Sequence, residues 1–445
     1  RILENLKKKK KKKSRLKDNQ ILVASELSPA DLLSHAKSKI SGLVSVLGGP
    51  EGHFAIVARS LSIPTIVGVK DLLKNIKNNE QIVLDGEKGL LIKNPTNQTI
   101  NFYKKKIEEQ KNRDKKLNYL KKIIPRTTDN VQIKIEANID NSSEAKESMK
   151  IGIDGIGLFR SEYLFMNKKR MPSENEQYDS LKKTLKYLKG KPLTIRTLDV
   201  GNDKKVPSID RYLTKSPNPA LGLRAIRLTL AFPKIFKRQI SAILRASKYG
   251  NIRIMLPMVS NVSELLEAKK LISDVRNDLL SKKIKILEKH VDIGVLIETP
   301  AAALISESIA KNCDFLAIGT NDLTMYTLAI DRGDEEVAKI YDPAHLSVLR
   351  LIKLSAESAK KVGVPISVCG EMAGDTMFTS LLLGMGIDRL SMSISRILKV
   401  KQFIENVNYE EVKKISDEIL NQDDSVRIKQ ILKSYYDKIY SVINN

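Results

Sequence analysis

The sequence predicts an α/β protein: a (β/α)8 barrel preceded by a small α/β domain and a linker helix. Three observations predict it. From residue 130 onward, eight apolar strand-like runs alternate with helical patterns. Polar and charged residues gather just past the C-terminal ends of those runs, where a barrel carries its reactive groups. A strongly basic helical segment ended by Pro125 separates this part from a compact α/β stretch at residues 20–95.

In the first stretch, residues 20–24 read as a short apolar strand, 29–40 fit a helix and 42–47 form a second strand. Gly48 and Gly49 then break the chain into a helix at 53–61. Residues 65–67, 81–85 and 89–92 read as further strands closing the unit. Residues 97–123 fit one long basic helix with apolar positions at Ile100, Tyr103, Ile107, Leu117 and Leu120, so 96–126 is expected to link two domains. The barrel, 127–445, takes its strands from 131–137, 155–159, 193–198, 252–257, 293–297, 315–318, 365–368 and 388–392.

A chain of 445 residues has room for two or three domains. With 42% hydrophobic and 29% charged residues and no apolar run of membrane-spanning length, a bilayer protein is not expected. Two cysteines, Cys313 and Cys369, cannot build a disulfide framework, which fits a reducing cytoplasm. The first residue is Arg1, so a fragment or processed start is expected, with 1–19 a basic remnant or tail. Of the net charge of +25, residues 1–20 carry +8 and residues 103–126 carry +7. Neither segment interleaves aromatics with its lysines, and Lys7 to Lys13 is a homopolymer, so the excess reads as solvated surface and not as a nucleic-acid site.

The densest chemistry lies at 314–333, D-F-L-A-I-G-T-N-D-L-T-M-Y-T-L-A-I-D-R-G, an apolar strand running into Thr320, Asn321 and Asp322. Glu298 and Asp322, after neighbouring strands, are two hard carboxylates able to hold one Mg²⁺; each also reads as a cap or an ion-pair partner. Arg160, Arg196 and Arg332 can surround a small polyanion with guanidinium forks, and Arg224 can add a fourth contact. Cys369, at a strand tip with Glu371, suits a proton donor, with a buried inert thiol as the alternative. In the first domain, G-G-P-E-G-H-F-A-I-V-A-R from Gly48 delivers His53 to a helix N-terminus, where amides and the dipole favour a phosphoryl group. His35, His290 and His345 have no ligand-like spacing and read as surface or structural.

Seven segments together carry a resemblance. They are F-R-S-E-Y-L-F-M from Phe159, R-T-L-D-V-G from Arg196, N-P-A-L-G-L-R-A-I-R from Asn218 and V-L-I-E-T-P-A-A from Val295. The stretch from Asp314, C-G-E-M-A-G-D from Cys369 and L-L-L-G-M-G-I-D from Leu381 complete the set. From about residue 20 to its end the chain resembles Enzyme I of the bacterial phosphoenolpyruvate-dependent sugar phosphotransferase system. The resemblance implies a swivelling phosphohistidine domain with His53 as the phosphorylated residue, and Mg²⁺ held by Glu298 and Asp322. It implies phosphoenolpyruvate bound by Arg160, Arg196, Asn321 and Arg332, protonation of the enolate by Cys369, handover to the phosphocarrier protein HPr, and a homodimer formed by the barrel.

The chain departs from the family pattern in three places. Only a remnant before residue 20 matches the helical subdomain that docks HPr. Glu51 and Gly52 stand where small hydroxyl residues precede the histidine, placing a carboxylate beside an incoming phosphoryl group and removing hydrogen-bond donors. Asn202 stands where glycine is usual. These departures leave a second expectation, a truncated or regulatory phosphoenolpyruvate binder unable to pass phosphate to HPr. A dikinase-like plan would need a glycine-rich nucleotide loop, and none is present.

Overall fold

A computed structural model of the chain describes residues 20–25, 40–48, 54–55, 58, 63–166, 168, 170–201, 206–213, 218–331, 337 and 340–444. The helices expected at 29–40 and 53–61 lie almost wholly outside these residues, although Ile40 itself opens a strand. The chain splits into two compact units, one comprising Arg1–Glu108 with Arg332–Lys339 and one comprising Glu109–Asp331 with Ile340–Asn445. Among the described residues, no helix is long and apolar enough to cross a membrane.

The first unit contains a parallel sheet of β1 (Gln20–Ala24), β2 (Ile40–Ser45) and β3 (Thr65–Ile66), and an antiparallel pair, β4 (Ile82–Asp85) with β5 (Leu90–Lys93). Its small core is Val44, Ile66 and Leu72. The hairpin turn is held by Asp85, whose Oδ1 accepts from the backbone N–H groups of Glu87 and Lys88, both at 3.1 Å. This is an Asx-type closure of the kind that short loops use.

In the second unit all eight expected barrel strands are present and close on themselves. They are β6 (Lys134–Ile139), β7 (Gly155–Arg160), β8 (Leu193–Arg196), β9 (Ile252–Leu256), β10 (Asp292–Ile297), β11 (Phe315–Ile318), β12 (Ile366–Val368) and β13 (Arg389–Met392). Closure is completed by β13 pairing parallel with β6, Leu390 opposite Ile135 and Met392 opposite Ala137. Side chains alternate across each strand. Leu158, Met255, Leu296, Phe315, Ala317 and Cys369 form a buried cluster of their own, separate from the larger core packed by the surrounding helices. Two-residue periodicity therefore sends Glu298 to the same side as Leu296, and Arg160 to the same side as Leu158.

The first barrel strand starts three residues later than its apolar pattern indicates. Val131, Gln132 and Ile133 fold back on the entry segment, with Thr127 N–H donating to Val131 O and Ile133 N–H to Pro125 O, both at 3.0 Å. Barrel pairing begins at Lys134 and continues through polar Asn138, whose amide donates to Cys369 O at 2.9 Å and whose Oδ1 accepts from Ser391 Oγ at 2.6 Å. The strand therefore ends at Ile139, and Asp140 becomes the first residue of the mouth.

The basic helix also differs from expectation. It is α-helical over Asn97–Lys116 and tightens to a 3-10 turn over Leu117–Lys122. The tighter winding stacks Leu117 and Leu120 on one side, both buried, while Ile107 stays exposed. The fully buried Lys401 ammonium donates to four carbonyls around this end: Gly152 at 2.7 Å, Ile123 at 3.0 Å, Leu120 at 3.2 Å and Ile151 at 3.3 Å. Gly152 has φ +72°, and a Cβ there would lie 1.8 Å from Lys121 O, so only glycine permits this approach. Leu120 O also accepts from Ile123 N–H, so Lys401→Met is expected to deprive the Gly152, Ile123 and Ile151 carbonyls of this donor and to cost about 3 kcal/mol. The urea midpoint measures it; a shift equivalent to less than about 1 kcal/mol would remove Lys401 from this role.

Candidate active site

The C-terminal mouth of the barrel is built from strand ends, because each strand's last residue and the turn after it project there while the pairing below keeps them rigid. Arg160 ends β7 and Arg196 ends β8. Glu298 follows β10, Asn321 and Asp322 lie in the first turn of the helix Thr320–Thr327 after β11, and Cys369 and Glu371 follow β12.

Glu298 is 1% exposed, and its Oε1 accepts from Met258 N–H at 2.6 Å. Met258 holds φ +57°, a left-handed conformation rare for a side chain of its size. Burial, then the negative charges of Asp322 and Asp199, push the Glu298 carboxyl up to about 8. Arg224 is 2% exposed and bridges carboxylates: Nε to Asp199 Oδ1 at 2.8 Å, Nη2 to Asp199 Oδ2 at 3.1 Å and Nη2 to Asp322 Oδ2 at 2.7 Å. Its Nη1 donates to Tyr326 Oη at 3.1 Å, and Tyr326 donates on to Ala220 O at 2.7 Å. Arg196 Nη2 pairs with Glu162 and, at 3.2 Å, with Asp199 Oδ2.

Among the described residues, this cluster sets Glu162, Asp199, Glu298 and Asp322 against Arg196 and Arg224. With all four carboxyls ionised the imbalance is two negative charges, the charge of one divalent cation, whereas without a cation Glu298 keeps its proton at neutral pH; the donors are hard oxygens suited to Mg²⁺. Arg224, expected as a substrate contact, is here engaged by Asp199 and Asp322.

Asn321 is held by its neighbour after β12: its Oδ1 accepts from Glu371 N–H at 2.9 Å. That contact requires close approach of two loops, and a Cβ on Gly370 would meet Thr320 Oγ1 at 2.0 Å. Cys369 is 5% exposed, with Sγ 3.7 Å from Ile318 O. Burial pushes its thiol up to about 12, against the opposing pull of Arg196, so the sulfur keeps its proton. A thiol that keeps its proton is a weak nucleophile and retains a proton it could give.

His53, Glu51, Gly52, Asn202 and Arg332 lie outside the described residues. The remaining expected residues, Arg160, Arg196, Arg224, Glu298, Asn321, Asp322 and Cys369, all stand at or beside the C-terminal ends of the barrel strands. Sequence reasoning passed over Asp140, Glu162, Asp199 and Tyr326. Glu162 and Asp199 sit two and three residues after the arginines that end β7 and β8, inside F-R-S-E and R-T-L-D, and an arginine ending a strand is the signal that could have found them. His345 caps the helix Leu346–Val362 through Nδ1, a structural role. His290 does have neighbours of ligand type: Nε2 lies 2.8 Å from Asp314 Oδ2, and ligand atoms of His290, Asp292 and Asp314 come within 4.8 Å of one another. This group stands at the N-terminal rim, opposite the mouth, because Asp292 opens β10 and Asp314 precedes β11.

Comparison with known proteins is informative over most of the chain. A family model described as PEP-utilising enzyme, PEP-binding domain, matches residues 114–409, and one described as PEP-utilising enzyme, mobile domain, matches residues 16–89. A phosphoenolpyruvate-protein phosphotransferase of Priestia megaterium is 36% identical over 425 residues, 95% of this chain and 73% of the relative. One of Cupriavidus necator is 40% identical over 405 residues, covering 91% and 69%. One of Buchnera aphidicola subsp. Schizaphis graminum is 39% identical over 422 residues, covering 94% and 73%.

Proposed function

The chain belongs to the phosphoenolpyruvate-protein phosphotransferases, the Enzyme I branch of the PEP-utilising enzymes, and from that premise we propose that it moves the phosphoryl group of phosphoenolpyruvate to His53 and then to HPr in sugar uptake, releasing pyruvate in the cytoplasm. The observation that carries the barrel half of this reading is the charge imbalance among Glu162, Asp199, Glu298, Asp322, Arg196 and Arg224. Glu298 and Asp322 are the residues that would hold Mg²⁺. When bound, the ion supplies positive charge to the phosphoryl oxygens and the developing enolate.

The chain's own groups account for the remainder. Arg160, Arg196, Asn321 and Arg332 bind and orient the anion, and Arg224 keeps Asp199 and Asp322 aligned. Phosphoryl transfer has a loose transition state, so positioning and fixed charge do most of the catalytic work. The neutral imidazole of His53 forms a bond to phosphorus as the bond from phosphorus to the enol oxygen breaks. The Cys369 thiol then gives its proton to the methylene carbon of the enolate, producing pyruvate, and solvent reprotonates the sulfur. A homodimer through the barrel is part of the proposal.

Incubation with phosphoenolpyruvate labelled in its phosphoryl group, with Mg²⁺ and with or without HPr, tests the two half-reactions separately. Label on the chain without HPr supports the first, and transfer of that label to added HPr supports the second. Tight binding without label would replace this reading with that of a regulatory binder. Cys369→Ala is expected to slow pyruvate release about 10²-fold, since a positioned acid contributes about that much. Wild-type release from that variant would place the proton donor elsewhere.

A further inference from the structure

The first strand end, which the sequence pattern concealed, carries a carboxylate aimed at a substrate arginine. Asp140 follows β6, is 7% exposed, and brings Oδ1 to 3.0 Å from Arg160 Nε. The approach is ionic only: both atoms are fully buried, and neither forms a hydrogen bond among the described residues. Behind Asp140 stands Glu144, in the first turn of the helix Ser142–Lys150. Its Oε2 accepts from Asp140 N–H at 2.8 Å and its Oε1 accepts from Asn141 Nδ2 at 2.7 Å. Two carboxyl groups therefore crowd one guanidinium.

We propose that Asp140 is a positioning residue for Arg160: its carboxylate holds the guanidinium against the pull of the substrate's anionic oxygens, and Glu144 behind it shares the proton that substrate binding draws in. The proposal rests on the reading of Arg160 as a substrate arginine. An unmade hydrogen bond in a buried pair means that the guanidinium is held by charge and not by geometry, so a better-aligned anion can compete with Asp140 for it. Once the substrate anion sits beside Arg160, the carboxyl pair faces a like charge in a desolvated pocket, and its charged form becomes less favourable.

The surroundings set the sign. Asp140 is faced by Arg160, Glu162 and Tyr163 from β7 and the turn after it, and by Arg196 from β8; Glu371, after β12, faces Arg160. Burial, opposed by Arg160, raises Asp140, and burial with the Asp140 charge pushes Glu144 up to about 7. Both carboxyls are thus raised, and a bound anion raises them further. The complex thus holds more protons than the free protein, a proton is taken from solvent on binding, and affinity falls as pH rises through neutrality.

Calorimetry on the full chain tests this, with phosphoenolpyruvate and saturating Mg²⁺ from about pH 6 to 8.5, in two buffers of different ionisation enthalpy. A parallel series with oxalate, whose charge is constant over that range, removes the substrate's own ionisation. Wild type is expected to take up protons near pH 7 and to weaken about tenfold across the range. Asp140→Asn keeps the side chain's shape and is expected to bind about tenfold tighter at pH 8.5 with that uptake reduced and moved to lower pH. Groups common to both proteins, Glu298 included, cancel in the comparison. Unchanged proton uptake, or no tighter binding, in Asp140→Asn overturns the proposal. Should that variant not fold, Glu144→Gln decides: its uptake is expected to shift to lower pH, and an unshifted profile is the overturning result. Failure of wild type to bind either ligand at any pH would instead sink the reading of the site itself, and the proposal with it.

Discussion

Glu298→Gln is expected to reduce phosphoryl transfer from phosphoenolpyruvate about 10³-fold while leaving a folded and, without metal, more stable protein. Glutamine has the same shape, so Met258 N–H keeps an acceptor in place of the present 2.6 Å bond. What changes is charge. Glu298 stands with Asp322, Asp199 and Glu162 among the described residues, opposed by Arg196 and Arg224, and removing one carboxylate relieves repulsion in a desolvated site. The same removal weakens the proposed metal set, to which the reading assigns the transition-state charge. Loss of activity together with a raised urea midpoint in chelator would be a trade of stability for function at a strained, charge-crowded site. Transfer at more than about a tenth of the wild-type rate would take Glu298 out of the metal set.

His53→Ala is expected to abolish labelling by phosphoenolpyruvate altogether while changing its binding to the barrel by less than about twofold. The expectation follows from the proposed division of labour: the proposed acceptor comes before Glu108, in the stretch assigned to the first compact unit, whereas Arg160, Arg196 and Asn321 belong to the second. Sites that share no partners contribute additively. The chain has only four histidines. Of the other three, His345 is engaged as a helix cap and His290 pairs with Asp314 at the N-terminal rim, far along the strands from the mouth. Persistent label in His53→Ala would make one of the remaining histidines the acceptor, and lost binding would tie the two units together energetically.

The barrel was legible because its strands are short apolar runs between helical patterns. Seven of them fall within about two residues of their expected bounds, consistent with the usual uncertainty at element ends. The exception, β6, has a local cause. Val131 and Ile133 are as apolar as strand residues, yet they pair with Pro125 and Thr127, while polar Asn138 continues the strand because Ser391 and Cys369 O satisfy it. Hydropathy cannot distinguish an apolar residue in a barrel strand from one in an entry hairpin, and it reads a satisfied amide as a terminator. The same displacement hid Asp140. The long basic helix was legible as a helix, but its winding was not, since the turn at Leu117–Lys122 depends on Lys401, nearly three hundred positions away.

What the sequence alone determined is the order of elements and the kinds of group at the strand ends. Period-two alternation and turn residues are local, and a strand's last side chains must project at the mouth whatever the partner strands are. The partnerships were decided only in three dimensions. Arg224 is engaged by Asp199 and Asp322, Asn321 by Glu371, and Arg160 by Asp140, because barrel closure brings together strand ends that lie far apart in the chain. Burial then sets their charges: the same carboxyl that is acidic in water is pushed up to about 8 at Glu298 by desolvation and neighbouring carboxylates. Composition names the charged groups at the mouth, and the low dielectric created by closure determines which of them stay charged.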